Sequence, residues 1–165
     1  GKTKLEVHLM VEAVEEYMKQ WGGVGVRRFI VHVEVLDRLD AEHRQNILFS
    51  YQSDYVVGLS LSPQTSPEAL LPYILPMPQG GAPVHFVQVL AVSPGFSAQP
   101  FQYSVLEKIR FLHNKVDDLV IEVDGGVTPE VVVEAKNAGA NLFTSSSYIW
   151  GGKEPKVAFE TLRSA

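Results

Sequence analysis

The chemically capable side chains of this sequence recur near the ends of short apolar runs. His8 stands in Leu5 to Val11, His32 and Glu34 in Arg28 to Val35, and Ser60 in Tyr55 to Leu61. Glu122 lies within Leu119 to Val123, and Asp124 follows it directly. Imidazoles and carboxylates exchange protons near neutral pH, and gathered on one surface they can act together on one small molecule. The same residue types also serve as hydrogen-bonded core groups. Asp124 equally suits a cap on the turn at Gly125-Gly126 or on the helix opening at Thr128. Spacing alone leaves both readings open.

The runs that carry these residues have the length and β-branched content of strands, and Phe86 to Val92 and Asn141 to Ser145 continue the series. Between them, Val11 to Trp21, Ala41 to Tyr51, Ser66 to Ile74 and Tyr103 to Asn114 repeat apolar residues at helical spacing. Thr128-Pro129 opens a further helix as cap and first-turn proline, Ala138-Gly139-Ala140 closes it, and Pro155 to Leu162 makes a last one. About six strand–helix units of this kind predict a parallel sheet with right-handed crossovers. Pro76 to Pro83 reads as a loop.

Alternate strand residues face opposite sides. Leu5, Val7 and Leu9 oppose Glu6, His8 and Met10, while Phe29, Val31, Val33 and Val35 oppose Ile30, His32 and Glu34. Val57, Leu59 and Leu61 oppose Gly58, Ser60 and Ser62, and Ile121 and Val123 oppose Glu122 and Asp124. Each of these strands thus has an aliphatic face and a second face that turns polar toward its C-terminal end. An open sheet sandwiched by helices should be apolar on both faces. A (β/α) barrel with a working mouth should look like this sequence. The expected fold is therefore an α/β, TIM-barrel-like arrangement of parallel strands, as a single domain over residues 1–165. Glu6 and Glu122, deeper in their strands, should pair with basic groups. Trp21 and Trp150 should serve packing, and His43, His85 and His113 are given no role.

Bulk properties narrow the partners. The 165 residues suit one core, and a net charge of −5 gives no basic footprint for nucleic acid. With 0 cysteines there is no disulfide framework, thiolate metal site or cysteine nucleophile, which accords with a cytoplasmic protein. No apolar run approaches the roughly 20 residues that span a bilayer. No Gly-x-Gly-x-x-Gly follows a strand, which disfavours a dinucleotide site.

Six segments together resemble the ribulose-phosphate 3-epimerase family of TIM barrels. They are Leu5-Glu6-Val7-His8-Leu9-Met10-Val11; His32-Val33-Glu34; Gly58 to Thr65 with Pro67; Val92 to Gln99 with Leu106, Lys108 and Ile109; Val123-Asp124-Gly125-Gly126-Val127; and Ala138-Gly139-Ala140 with Ser147. Singly they are weak signals; in this order they cover essentially the whole chain. The resemblance implies a pentose- or hexose-phosphate 3-epimerase, interconverting ribulose 5-phosphate and xylulose 5-phosphate through an enediolate. It implies His8 and Asp124 as ligands of a divalent metal (zinc, iron or manganese) and Asp124 as an acid–base group. Gly125, Gly126 and Ser147 would hold the phosphate through backbone N–H groups. His32, Glu34 and Ser60 would support the metal ligands or touch substrate.

The sequence also departs from the family pattern. Two further βα units open that pattern, and their second strand carries a His and an Asp that complete the metal site. Here the match begins at the family's third strand. Glu6 stands for an Asp, Leu90 for a Met, and Ser97, Ala98 and Ser146 for glycines. Six strands without closure leave unpaired edges, so a homo-oligomer, most simply a dimer, is expected. The expected function is epimerase-like; the alternatives are a non-catalytic phosphosugar-binding module or a truncated homologue.

Overall fold

In the computed structural model, residues 4–76, 84–96 and 98–165 are described. The expected loop after Pro76 and the residue Ser97 therefore lie outside the described residues. Six strands form one parallel sheet in the order β1-β2-β3-β4-β5-β6, each beside its successor in sequence. They are β1 (Glu6–Leu9), β2 (Arg28–His32), β3 (Val56–Leu61), β4 (Phe86–Leu90), β5 (Val120–Asp124) and β6 (Leu142–Thr144). Neighbour-to-neighbour order without a switch point, in a sheet that curls, makes a partial TIM-barrel-like fold.

Helices α1 (Val14–Gly23), α2 (Val33–Leu36), α3 (Ala41–Gln45), α4 (Leu71–Ile74), α5 (Val105–His113), α6 (Pro129–Ala138), α7 (Ser147–Trp150) and α8 (Pro155–Ser164) fill the connections. The α6 boundaries follow the sequence signals. The Thr128 hydroxyl accepts from the Val131 N–H, Pro129 occupies the first turn, and Gly139 ends the helix in the left-handed region at φ 111°.

Phe29, Val31, Leu59, Val87, Val89, Ile121 and Val123 pack beneath Met18, Ile109, Leu112 and Val131 in one continuous core. Each such side chain contributes about 1.5–3 kcal/mol on burial. Ile30, Phe86 and Leu90 are equally buried but stand outside that cluster, on the opposite strand parity. They belong to the concave face, where the polar residues also point.

Several expected elements differ. Arg28 to Val35 is not one strand: it ends at His32, and Val33–Leu36 is a helical turn. The expected helix Ala41 to Tyr51 divides into α3, a π-helical turn at Asn46–Ser50 and a 3₁₀ turn at Tyr51–Ser53. Ser66 to Ile74 begins as a 3₁₀ turn at Pro67–Leu70, because Pro72 cannot supply an N–H to a longer α-helix. Trp150 is 73% exposed rather than packed. No helix among the described residues is long and apolar enough to cross a membrane.

Candidate active site

Parallel register aligns the inward residues in rows. His32 stands beside Ser60, Ser60 beside Gln88, and Gln88 beside Glu122. Adjacent strands lie close enough for such neighbours to hydrogen-bond directly. The Ser60 hydroxyl donates to Gln88 Oε1 at 2.9 Å, and Gln88 Nε2 donates to Glu122 Oε1 at 2.8 Å. The same Nε2 reaches Asp124 Oδ2 at 3.4 Å. Gln88 thus ties two carboxylates together through its NH₂, and its Oε1, turned away from them, accepts from Ser60.

Glu122 is 2% exposed. Burial, aided by repulsion from Glu6 and Asp124, pushes its carboxyl up to about 7 against hydrogen bonds from Gln88 and Thr144. The expectation of a basic partner fails here, since the group is held by an amide and a hydroxyl. It holds for Glu6, whose Oε2 accepts from Arg28 Nη1 at 2.9 Å.

A second chain of contacts starts from His8. Its Nε2 lies 2.8 Å from His32 Nε2, and His32 Nδ1 lies 3.2 Å from Glu34 Oε2. The ring planes differ by 20° with centroids 4.8 Å apart, a spacing compatible with an edge-to-edge nitrogen contact. Although Glu34 has left the strand, its side chain returns to the concave side. Its Oε1 accepts from the Ser62 N–H at 2.9 Å and from the Thr65 hydroxyl. Burial alone would raise its pKa; the hydrogen bonds from His32, Thr65 and Ser62 together outweigh this and hold the carboxyl well below the usual range. Lys108, from α5, donates to the carbonyls of Ser62, Pro63 and Thr65 and so braces the loop that grips Glu34.

The two chains meet at Asp124. His8 Nδ1 is 3.5 Å from Asp124 Oδ2 and, although buried, has no hydrogen-bond partner. Asp124 also lines a cavity of about 320 Å³ with Met10, Leu90, Gly125, Gly126 and Ser147. The structure therefore brings Asp124 together with all three expected phosphate-contacting residues. His8, His32, Glu34 and Ser60 do not line this cavity, and of the four only His8 contacts Asp124 directly.

The loop backbone explains the glycines. Gly125 and Gly126 have φ of 105° and 66°, where side chains are disfavoured, and a Cβ on Gly126 would fall 2.5 Å from the Phe101 backbone nitrogen. Ala98 occupies the same left-handed region at φ 60°, so the alanine there carries strain that glycine would not. Gln99 Nε2 pins this loop through the carbonyls of Ser93 and Phe96, each at 2.7 Å.

The metal expectation meets a shortfall. Among the described residues no group of three or more His, Cys, Asp or Glu side chains is placed to hold a metal ion, whereas a catalytic zinc takes three protein ligands. His8 Nδ1 and Asp124 supply two converging donors, with no third among the described residues. Sequence reasoning missed Gln88; a lone amide in the apolar run FVQVL, on the parity of Phe86 and Leu90, was the available signal.

A family model described as the ribulose-phosphate 3 epimerase family matches residues 1–150. The chain is 34% identical over 165 residues to the cytoplasmic isoform of ribulose-phosphate 3-epimerase of Oryza sativa subsp. japonica, covering 99% of this chain and 69% of that one. It is 32% identical to the ribulose-phosphate 3-epimerase of Bacillus subtilis, covering 98% and 71%, and 30% identical to that of Schizosaccharomyces pombe, covering 97% and 65%. The chain thus spans 65–71% of these relatives' length. By structure it is similar to orotidine 5'-monophosphate decarboxylase from Sulfolobus solfataricus, with TM-score 0.62 at 11% identity over 98% of this chain and 72% of that one. It is also similar to a 3-hexulose-6-phosphate synthase, with TM-score 0.56 at 17% identity over 92% and 68%. These structural likenesses speak to fold alone.

Proposed function

The chain belongs to the ribulose-phosphate 3 epimerase family, and from that premise we propose that it binds a pentose phosphate and moves the proton at C3 through Asp124. One observation carries the reading: Asp124 shares a cavity with Gly125, Gly126 and Ser147 at the C-terminal ends of the strands. That is the end at which barrels of this kind place their chemistry. The backbone N–H groups of Gly125, Gly126 and Ser147 would receive the phosphate, since glycine lets an anion approach the chain closely. With the phosphate anchored, a carbon beside the ketone can present its acidic hydrogen to the Asp124 carboxylate. Loss of that proton gives an enediolate, and its return on the other face inverts the centre.

Inversion needs an acid–base group on each face. The described residues offer one carboxylate that opens on the cavity, so the second group comes from outside them in this reading. The same holds for a divalent metal such as zinc, iron or manganese. His8 and Asp124 are this chain's two donors toward it, and no step is assigned to the ion. His32, Glu34 and Ser60 act behind these groups. Deuterium incorporation at C3 of ribulose 5-phosphate, followed by proton NMR, tests the proposal.

The single acid–base group also favours a second reading, a phosphosugar-binding module without turnover. It predicts a raised melting temperature with the sugar phosphate and no exchange. In either reading a second copy covers the sheet. Among the described residues β1 and β6 each have one neighbouring strand, and Leu5, Met10, Trp150, Val157 and Phe159 are exposed on segments beside them. Light scattering at micromolar concentration should give a dimer; a monomer would contradict it. The rice relative's name places that protein in the cytoplasm, and 0 cysteines in this chain accord with the same location.

A further inference from the structure

We infer that Glu34 and His32 are positioning residues that fix the tautomer of His8, with hydrogen on Nε2 and the Nδ1 lone pair turned toward Asp124. The inference rests on the reading of Asp124 as the working carboxylate only for its significance, since the hydrogen-bond order stands by itself. A carboxylate can only accept, so His32 Nδ1, 3.2 Å from Glu34 Oε2, carries the hydrogen. In a neutral His32 this leaves Nε2 as the acceptor. His8 Nε2, 2.8 Å away, must then donate. In a neutral His8 that assignment leaves Nδ1 without hydrogen.

Two further observations agree. Glu34 cannot turn away, because its other oxygen is held by the Ser62 N–H and the Thr65 hydroxyl. Their loop is in turn held by Lys108. His8 Nδ1 is buried and makes no hydrogen bond, its 3.5 Å contact with Asp124 Oδ2 included, so nothing on that side requires it to carry hydrogen. With the opposite tautomer an N–H would point at that oxygen and Asp124 would gain a neutral donor. The selected tautomer instead leaves the Nδ1 lone pair on the side of the carboxylate oxygen.

Replacing Glu34 with Gln should reverse the order. The Gln oxygen would stay with Ser62 and Thr65, so its NH₂ would face His32 Nδ1 and donate to it. His32 would then carry hydrogen on Nε2, and His8 would have to carry it on Nδ1.

The test uses nitrogen-15-labelled protein in which the exposed His43, His85 and His113 are replaced by Gln, leaving His8 and His32. Long-range proton–nitrogen NMR at about pH 8, above the imidazole range, reads which ring nitrogen bears hydrogen. The expected result is hydrogen on Nε2 of His8 and on Nδ1 of His32, with both ring patterns exchanged in Glu34→Gln. Hydrogen on Nδ1 of His8, or both tautomers equally populated, would overturn the inference; so would a folded Glu34→Gln protein with unchanged ring patterns. If that variant does not fold, the unsubstituted Glu34 protein still decides the matter. Absence of C3 exchange with the expected tautomers would sink the epimerase reading and leave this inference standing.

Discussion

His8 Nδ1 lies 3.5 Å from Asp124 Oδ2, although three strands stand between β1 and β5. In a flat sheet those backbones would be about 19 Å apart, four spacings of about 4.8 Å. Only a sheet curled through much of a barrel brings the two side chains into contact. The curl thus does more than shape the fold, because it assembles a site from residues 116 positions apart in sequence.

Glu122 gives the fold a pH signature. Its carboxyl is raised from 4.5 to about 7 in the folded chain, so between those values the folded state binds more protons than the unfolded one. Stability is then greatest below the unfolded value and falls as pH rises through about 7. Glu122→Gln removes this dependence. Relative to wild type it should gain up to about 3 kcal/mol at pH 8 and little at pH 5. Chemical denaturation at the two pH values checks this; an equal difference at both would contradict it.

Gly126 is constrained twice, by φ of 66° and by a Cβ position 2.5 Å from the Phe101 nitrogen. Gly126→Ala should cost about 1–3 kcal/mol and abolish the rise in melting temperature that ribulose 5-phosphate gives. Gly23→Ala is the control, since a Cβ there meets nothing. It should stabilise α1 by about 0.5–1 kcal/mol and leave the ligand response intact.

Lys108 holds three loop carbonyls from outside the barrel. Lys108→Met keeps the stem and removes the donors, so it should cost about 1–3 kcal/mol. Faster hydrogen exchange at the Ser62 amide, which Glu34 otherwise protects, would show that the loss passes through this loop. Unchanged exchange there would contradict the brace.

Much of this arrangement was legible in the sequence because strands have period two. Glu6, His8, Ser60, Glu122 and Asp124 all fall on the parity opposite the helix-packed core, as expected. Glu34 illustrates the limit. Counting by twos placed it correctly on the side of His32, yet it does so from a helical turn, because β2 ends at His32. Which groups pair was not legible. The partner of Glu122 is Gln88, 34 residues earlier, and only register across β4 and β5 joins them. The His8–Asp124 contact depends on curvature, a property of the whole sheet that no local spacing encodes.

The most direct test of the account is proton NMR of ribulose 5-phosphate in heavy water with the wild-type protein and with Asp124→Asn. Deuterium should enter at C3 with the wild type and not above background with the variant, while both proteins remain folded. Equal exchange with both, or no exchange with a folded wild type whose melting temperature the sugar phosphate raises, would contradict Asp124 as the group that moves the proton.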